Sequence, residues 1–149
     1  MAIQTVGIIG AGTMGNGIAQ ACAVSGINGV MVDISDTAVQ KGLSTVAGSL
    51  DRLIKKEKIS EADKAAALSR IKVSTSYDDL KAAQLVIEAA TENYDLKVKI
   101  LKQVDALVAP EVIVATNTSS ISITQLAAAT QRADRFIGMH FFNPVPMMA

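Results

Sequence analysis

Short runs of aliphatic and β-branched residues recur near 4–9, 29–33, 71–74, 84–88, 112–116 and 135–140, and the stretches between them carry apolar residues at helical spacing. The alternation predicts parallel strands joined by helices, a sheet covered on both faces. Pro110 precedes the fifth run and punctuates the loop that leads into it. One segment departs from simple alternation, because two helices in succession, near 36–57 and 60–70, separate the second and third strands. In the first of them Leu43, Val46, Ala47, Leu50, Leu53 and Ile54 fall on one arc, while Ser49, Arg52 and Lys56 form a neighbouring stripe. The second opens on Ser60-Glu61-Ala62-Asp63, an S-x-x-D cap. No repeat, low-complexity tract or linker interrupts the pattern, so residues 1–149 read as one domain.

The first strand-to-helix junction carries the strongest chemical signal. Gly10-Ala11-Gly12-Thr13-Met14-Gly15 follows Val6-Gly7-Ile8-Ile9 and opens a helix of small residues, and Asp33 closes the next apolar run. A GxGxxG in that position, with an acid at the end of the second strand, is the dinucleotide-binding fingerprint. Gly10 permits the sharp turn, Gly12 lets the backbone approach a pyrophosphate, and Gly15 lets helix and strand pack closely. The pyrophosphate is expected on the free N–H groups of the helix N-terminus. The Asp33 carboxylate is expected to accept from the ribose hydroxyls and to repel a 2′-phosphate. No Arg or Lys follows it until Lys41, so nothing nearby in sequence is suited to clamp NADP, and NAD is the expected cofactor. The predicted architecture is therefore an α/β, Rossmann-type doubly wound parallel sheet with a helical pair inserted between strands two and three.

Composition narrows the function classes. Fourteen Lys and Arg balance fourteen Asp and Glu, which argues against a uniformly basic polyanion-binding surface. Aromatic residues make up 3% and tryptophan is missing, leaving little to stack on bases. No apolar run approaches a membrane span and no basic segment precedes a long apolar one at the N-terminus, so the sequence reads as a soluble cytoplasmic chain. Cys22 is the single cysteine, which excludes an internal disulfide or a cysteine metal cluster and suggests a packed core thiol; no metal site is expected.

Three polar stretches fall where predicted strands end. They are Glu88-Ala89-Ala90-Thr91-Glu92-Asn93, Thr116-Asn117-Thr118-Ser119-Ser120, and the single histidine in His140-Phe141-Phe142-Asn143-Pro144-Val145-Pro146. Ligands of open α/β sheets bind beyond the carboxyl ends of the strands, the rim that also holds the glycine loop. An imidazole there can exchange a proton with a substrate near neutral pH. Read alone, His140 could equally be a core histidine, and Ser and Asn at such turns are ordinary helix caps. On spacing alone the Ser49, Arg52, Lys56 stripe is a solvated face or a grip for an anionic ligand.

Taken together, the glycine loop, Glu88-Ala-Ala-Thr-Glu92-Asn93, Asn117-Thr-Ser-Ser and His140-Phe-Phe-Asn-Pro-Val-Pro resemble, in order and spacing, the NAD-binding domain of 3-hydroxyacyl-CoA dehydrogenases, bacterial 3-hydroxybutyryl-CoA dehydrogenases above all. The resemblance covers essentially the whole chain. It implies an NAD-dependent L-3-hydroxyacyl-CoA dehydrogenase that interconverts 3-hydroxybutyryl-CoA and acetoacetyl-CoA in fatty acid and butanoate metabolism. It also implies roles: His140 the catalytic base, and Ser119 a hydrogen-bond partner of the reacting oxygen between substrate and cofactor. Glu92, Lys97 and Asn143 join Gly10, Ala11, Gly12, Thr13, Met14, Gly15 and Asp33 as cofactor contacts. Ser49 and Lys56, with Arg52 as a possible helper, contact the CoA portion.

In the family a glutamate a few residues beyond the proline pair orients the histidine, and a helical domain supplies the homodimer contact and closes the cleft. This sequence ends at Ala149, before those positions, so the expectation is an NAD-binding portion that binds cofactor without appreciable turnover by itself. Removing the acid from a catalytic His–Asp pair costs about 10⁴ in rate. Glu88 and Glu92 are the candidates that would have to substitute for it. A second reading, a stand-alone NAD-binding regulatory module without catalysis, needs only the glycine loop and Asp33; the presence of Ser119, His140 and Asn143 favours the enzyme.

Overall fold

The structure, a computed structural model, describes residues 3–90, 94–109, 111–117 and 136–139. Six parallel strands form one sheet: β1 (Thr5–Ile9), β2 (Asn28–Val32), β3 (Ile71–Ser74), β4 (Leu85–Glu88), β5 (Ile113–Asn117) and β6 (Phe136–Met139). Their order is β3-β2-β1-β4-β5-β6, so the chain winds outward from β1 in both directions. That reversal at β1 opens a crevice beyond the carboxyl ends of β1 and β4, the usual ligand position in such sheets.

Side-chain alternation along β1 divides the core in two. Val6 and Ile8 face one layer, with Ile18 and Ala19 of α1 (Thr13–Val24) and Val46 and Leu50 of α2 (Asp36–Lys55). Ile9 faces the other, with Leu80, Val86 and the α4 (Tyr94–Leu107) residues Ile100, Leu101 and Val104. Burial on both faces is why these strands read as continuous apolar runs. Cys22 packs against the first layer, and desolvation pushes its thiol upward, as a core thiol requires.

The two predicted helices between β2 and β3 are α2 and α3 (Glu61–Ser69). The Ser60 hydroxyl accepts from Asp63 N at 3.1 Å and the Asp63 carboxylate accepts from Ser60 N at 3.0 Å, the capping box legible in the sequence. The inner face of α2 is rotated from the predicted arc, since its buried residues are Val39, Gly42, Val46 and Leu50, while Ala47 and Ile54 are half-buried. Gly42 is the reason: a Cβ there would lie 2.7 Å from the Ala11 carbonyl oxygen, so the helix seats its glycine on the loop after β1.

The helix expected between β3 and β4 is a short 3-10 helix, Tyr77–Ala82, opened by the Ser76 hydroxyl accepting from Asp78 N. Ten residues must carry the chain across β2 and β1, and one tight turn that buries Leu80 suits that length. Among the described residues no helix is long and apolar enough to cross a membrane.

Candidate functional site

Gly10 leaves β1 with φ +107, a backbone region that side chains rarely adopt, and a Cβ on it would meet Ala89 O at 2.9 Å. The turn it makes presses the start of α1 onto the sheet, and a Cβ at Gly15 would fall 1.7 Å from the Gly10 carbonyl oxygen. Gly12 differs, because a Cβ there would meet nothing within 4 Å. Its bareness faces open space rather than protein, as a surface for close approach of a ligand requires. Gly12 is also the N-cap of α1, which has no side-chain cap bond and no acidic residue in its first turn. The first-turn N–H groups, beginning at Thr13, are thus left for an external anion.

Asp33 follows β2 directly and its carboxylate is bound on both oxygens: Ala11 N donates to Oδ2 at 2.8 Å and Ile34 N to Oδ1 at 2.6 Å. The side chain therefore holds the glycine loop as well as lining the crevice. Met14 packs partly buried against the core under the loop. The open helix N-terminus, the bare Gly12 edge and the fixed carboxylate together fit a dinucleotide, with pyrophosphate on the amides and ribose on the acid.

A cleft of about 330 Å³ extends from Asp33 between Gly10, Ile34, Tyr77, Leu96 and Lys99. Sequence reasoning missed Tyr77 and Lys99. No motif marks them, and only the short crossover and the pitch of α4 bring them beside Asp33. Burial, and then the charges of Asp33 and Glu88, push the Tyr77 phenol upward, so it remains a protonated donor.

Lys97 reaches from α4 to the carboxyl end of β4. Its side chain is fully buried and ion-paired with the equally buried Glu88, whose Oε1 also accepts from Thr116 Oγ1 at 2.7 Å. The same carboxylate accepts from Ala90 N at 2.9 Å. Position 97 falls on the inner stripe of α4 with Leu101, Val104 and Val108, where a lysine is tolerated only by reaching a buried acid. The α4 lysine that opens onto the cleft is Lys99. Glu88 thus ties α4, β5 and the turn after its own strand together at the carboxyl end of β4.

Lys41 is a second departure. Eight residues after Asp33 in sequence, it lines a second cleft together with Asp33, Ala11 and Gly12, so a cation does stand beside the Asp33 carboxylate. The stripe on α2 is placed as expected, with Ser49 half-buried and Arg52 and Lys56 exposed. Glu92, Ser119, His140 and Asn143 lie outside the described residues. Ser119 comes two residues after the end of β5 and His140 directly after β6, which run parallel with Asn117 opposite Met139.

Residues 5–149 match the family described as 3-hydroxyacyl-CoA dehydrogenase, NAD binding domain. The chain belongs to this family. Its cofactor is NAD. Over 146 residues the chain is 50% identical to the 3-hydroxybutyryl-CoA dehydrogenase of Bradyrhizobium diazoefficiens, a match covering 98% of this chain and 50% of the relative. The 3-hydroxybutyryl-CoA dehydrogenase of Clostridioides difficile is 45% identical over 95% of this chain and 50% of its own. The crystal structure of (S)-3-hydroxybutyryl-CoA dehydrogenase from Ralstonia eutropha superposes with a TM-score of 0.96 at 80% identity, covering 97% of this chain and 51% of that one. The chain spans about half the length of the curated relatives it matches.

Proposed function

We propose that the chain is the cofactor-binding part of an L-3-hydroxyacyl-CoA dehydrogenase acting on short acyl chains, with 3-hydroxybutyryl-CoA and acetoacetyl-CoA as its substrate pair. The observation that carries this reading is the family match over residues 5–149, whose glycine loop has the open amides and the fixed acid that a dinucleotide needs. Bound NAD supplies a hydride acceptor. Asp33 holds the adenosine ribose, and the α1 amides hold the pyrophosphate. His140 takes the 3-hydroxyl proton on an imidazole nitrogen as hydride leaves C3, and returns it in the reverse direction. Ser119 hydrogen-bonds the reacting oxygen, and Glu92 and Asn143 assist in holding the cofactor. The whole enzyme works as a homodimer in the cytoplasm.

Reduction of acetoacetyl-CoA by NADH, assayed on the complete gene product, tests the reading. Retained NAD binding with no turnover of any short 3-oxoacyl-CoA would favour an NAD-binding module instead. The acid of the ribose site has its own test. NAD should bind more tightly than NADP, and Asp33→Ala should weaken NAD by about 1.5–3 kcal/mol, the worth of a charged acceptor, while narrowing the gap. Calorimetric titration showing equal affinity of the unaltered chain for the two dinucleotides would overturn it.

The α2 stripe carries the CoA contact through Ser49 and Lys56, aided by Arg52. In the complete gene product Lys56→Glu should raise KM for acyl-CoA several-fold, about what a partly exposed charge contact provides, and added salt should shrink the difference. The effect should be smaller on a substrate truncated to its pantetheine arm. Equal damage to both substrates would mean that the stripe is only a solvated face.

A further inference from the structure

Lys41 sits in the first half of α2, exposed, one residue before the glycine that seats the helix on the loop after β1. The close approach of Gly42 to the Ala11 carbonyl fixes where the Lys41 backbone stands, and the Thr45 hydroxyl donates to the Lys41 carbonyl at 2.9 Å in the next turn. The outcome is a cleft of about 310 Å³ lined by Ala11, Gly12, Asp33, Lys41 and Thr45. Lys41 makes no salt bridge among the described residues. Asp33 faces the same cleft with its carboxylate fixed by two backbone amides.

We propose that Lys41 is a specificity-determining residue of the dinucleotide site, one that offsets the repulsion between Asp33 and a ribose 2′-phosphate. A 2′-phosphate on the ribose that Asp33 holds would enter this cleft, where a carboxylate disfavours it and an ammonium favours it. Lysine binds phosphate as a point charge, without the fixed geometry an arginine fork demands, so it can act from a flexible exposed stem. Cofactor choice is then set by the pair rather than by Asp33 alone, and removing the acid's charge leaves a cation already in place for NADP. The inference rests on the NAD-binding reading above.

The test is a cycle of four purified chains: unaltered, Lys41→Ala, Asp33→Asn, and both together, each titrated with NAD and with NADP. Asp33→Asn keeps an oxygen to accept from Ala11 N while removing the charge, so the loop retains its tie; circular dichroism checks folding of all four. Lys41→Ala should weaken NADP about fivefold and leave NAD within about twofold, with the NADP loss at least as large in the Asp33→Asn background and reduced by salt. NADP affinity unchanged by Lys41→Ala in that background would overturn the proposal. Equal weakening of NAD and NADP would overturn it too, by placing the lysine on a shared phosphate. Failure of the unaltered chain to bind NAD would instead bring down the NAD-binding reading itself.

Discussion

Lys97→Met should destabilise the chain by about 3–5 kcal/mol, the cost of leaving one member of a buried ion pair without its partner. Lys97 and Glu88 are both fully shielded from water, in a layer where the carboxylate also serves Thr116 and the Ala90 amide. Methionine fills nearly the same volume, so the loss is electrostatic and not a cavity. A domain of this size loses roughly 2–4 °C of melting temperature per kcal/mol, which puts the expected drop at about 6–20 °C. Adding Glu88→Gln should recover most of it. The neutral amide still accepts from Thr116 or Ala90 and no longer needs a cation. Urea denaturation of the three chains checks this, and a cost below about 1 kcal/mol for the single change would show that the pair is not the anchor described. Because Ala90 borders the cleft beside Asp33, the single variant should also bind NAD more weakly.

His140→Ala should lower turnover of acetoacetyl-CoA by the complete gene product about 10²–10⁴-fold, the usual contribution of a general acid–base. NAD affinity should change by less than about twofold. The reason for the split lies in the parts of the sheet each function uses. In the proposed reading the pyrophosphate and adenosine ribose are held by the β1–α1 loop and the end of β2, whereas His140 follows β6 at the far edge, three strands from β1. Single-turnover kinetics beside NAD titration would separate the two. A rate loss under tenfold would remove His140 from the role of base, and parallel loss of NAD binding would make it a structural residue instead.

Much of the cofactor half was legible because its signals are local. A strand, a glycine turn, a helix and an acid follow one another in sequence, and the turn itself is local: Gly15 packs on Gly10, and Gly10 has a positive φ, although its closeness to Ala89 is tertiary. Capping is local in the same way, so Ser60 and Asp63 marked the start of α3 correctly. The apolar runs located all six strands within a residue or two, most clearly β1, β2 and β4, whose residues are buried almost throughout. The segment between β3 and β4 was less legible. Nothing in Tyr77-Asp-Asp-Leu80 distinguishes a 3-10 turn from the end of a short α-helix; the distance to be crossed decides.

Sequence by itself determined the parallel α/β architecture, the glycine loop with Asp33, and NAD as cofactor, because each rests on the chemistry of residues close together along the chain. Tertiary structure alone decided the partners of residues far apart. Lys97 became a core residue because α4 turns that position inward, and Lys99 faces the cleft because it stands two residues, about 200° around the helix, further on. Lys41 reached the cleft of Asp33 because Gly42 lets α2 lie against the loop after β1. The physical reason is the same for each: a side chain's charge and hydrogen-bonding capacity are written in its identity, but what they meet is set by helix rotation and by which backbones can touch.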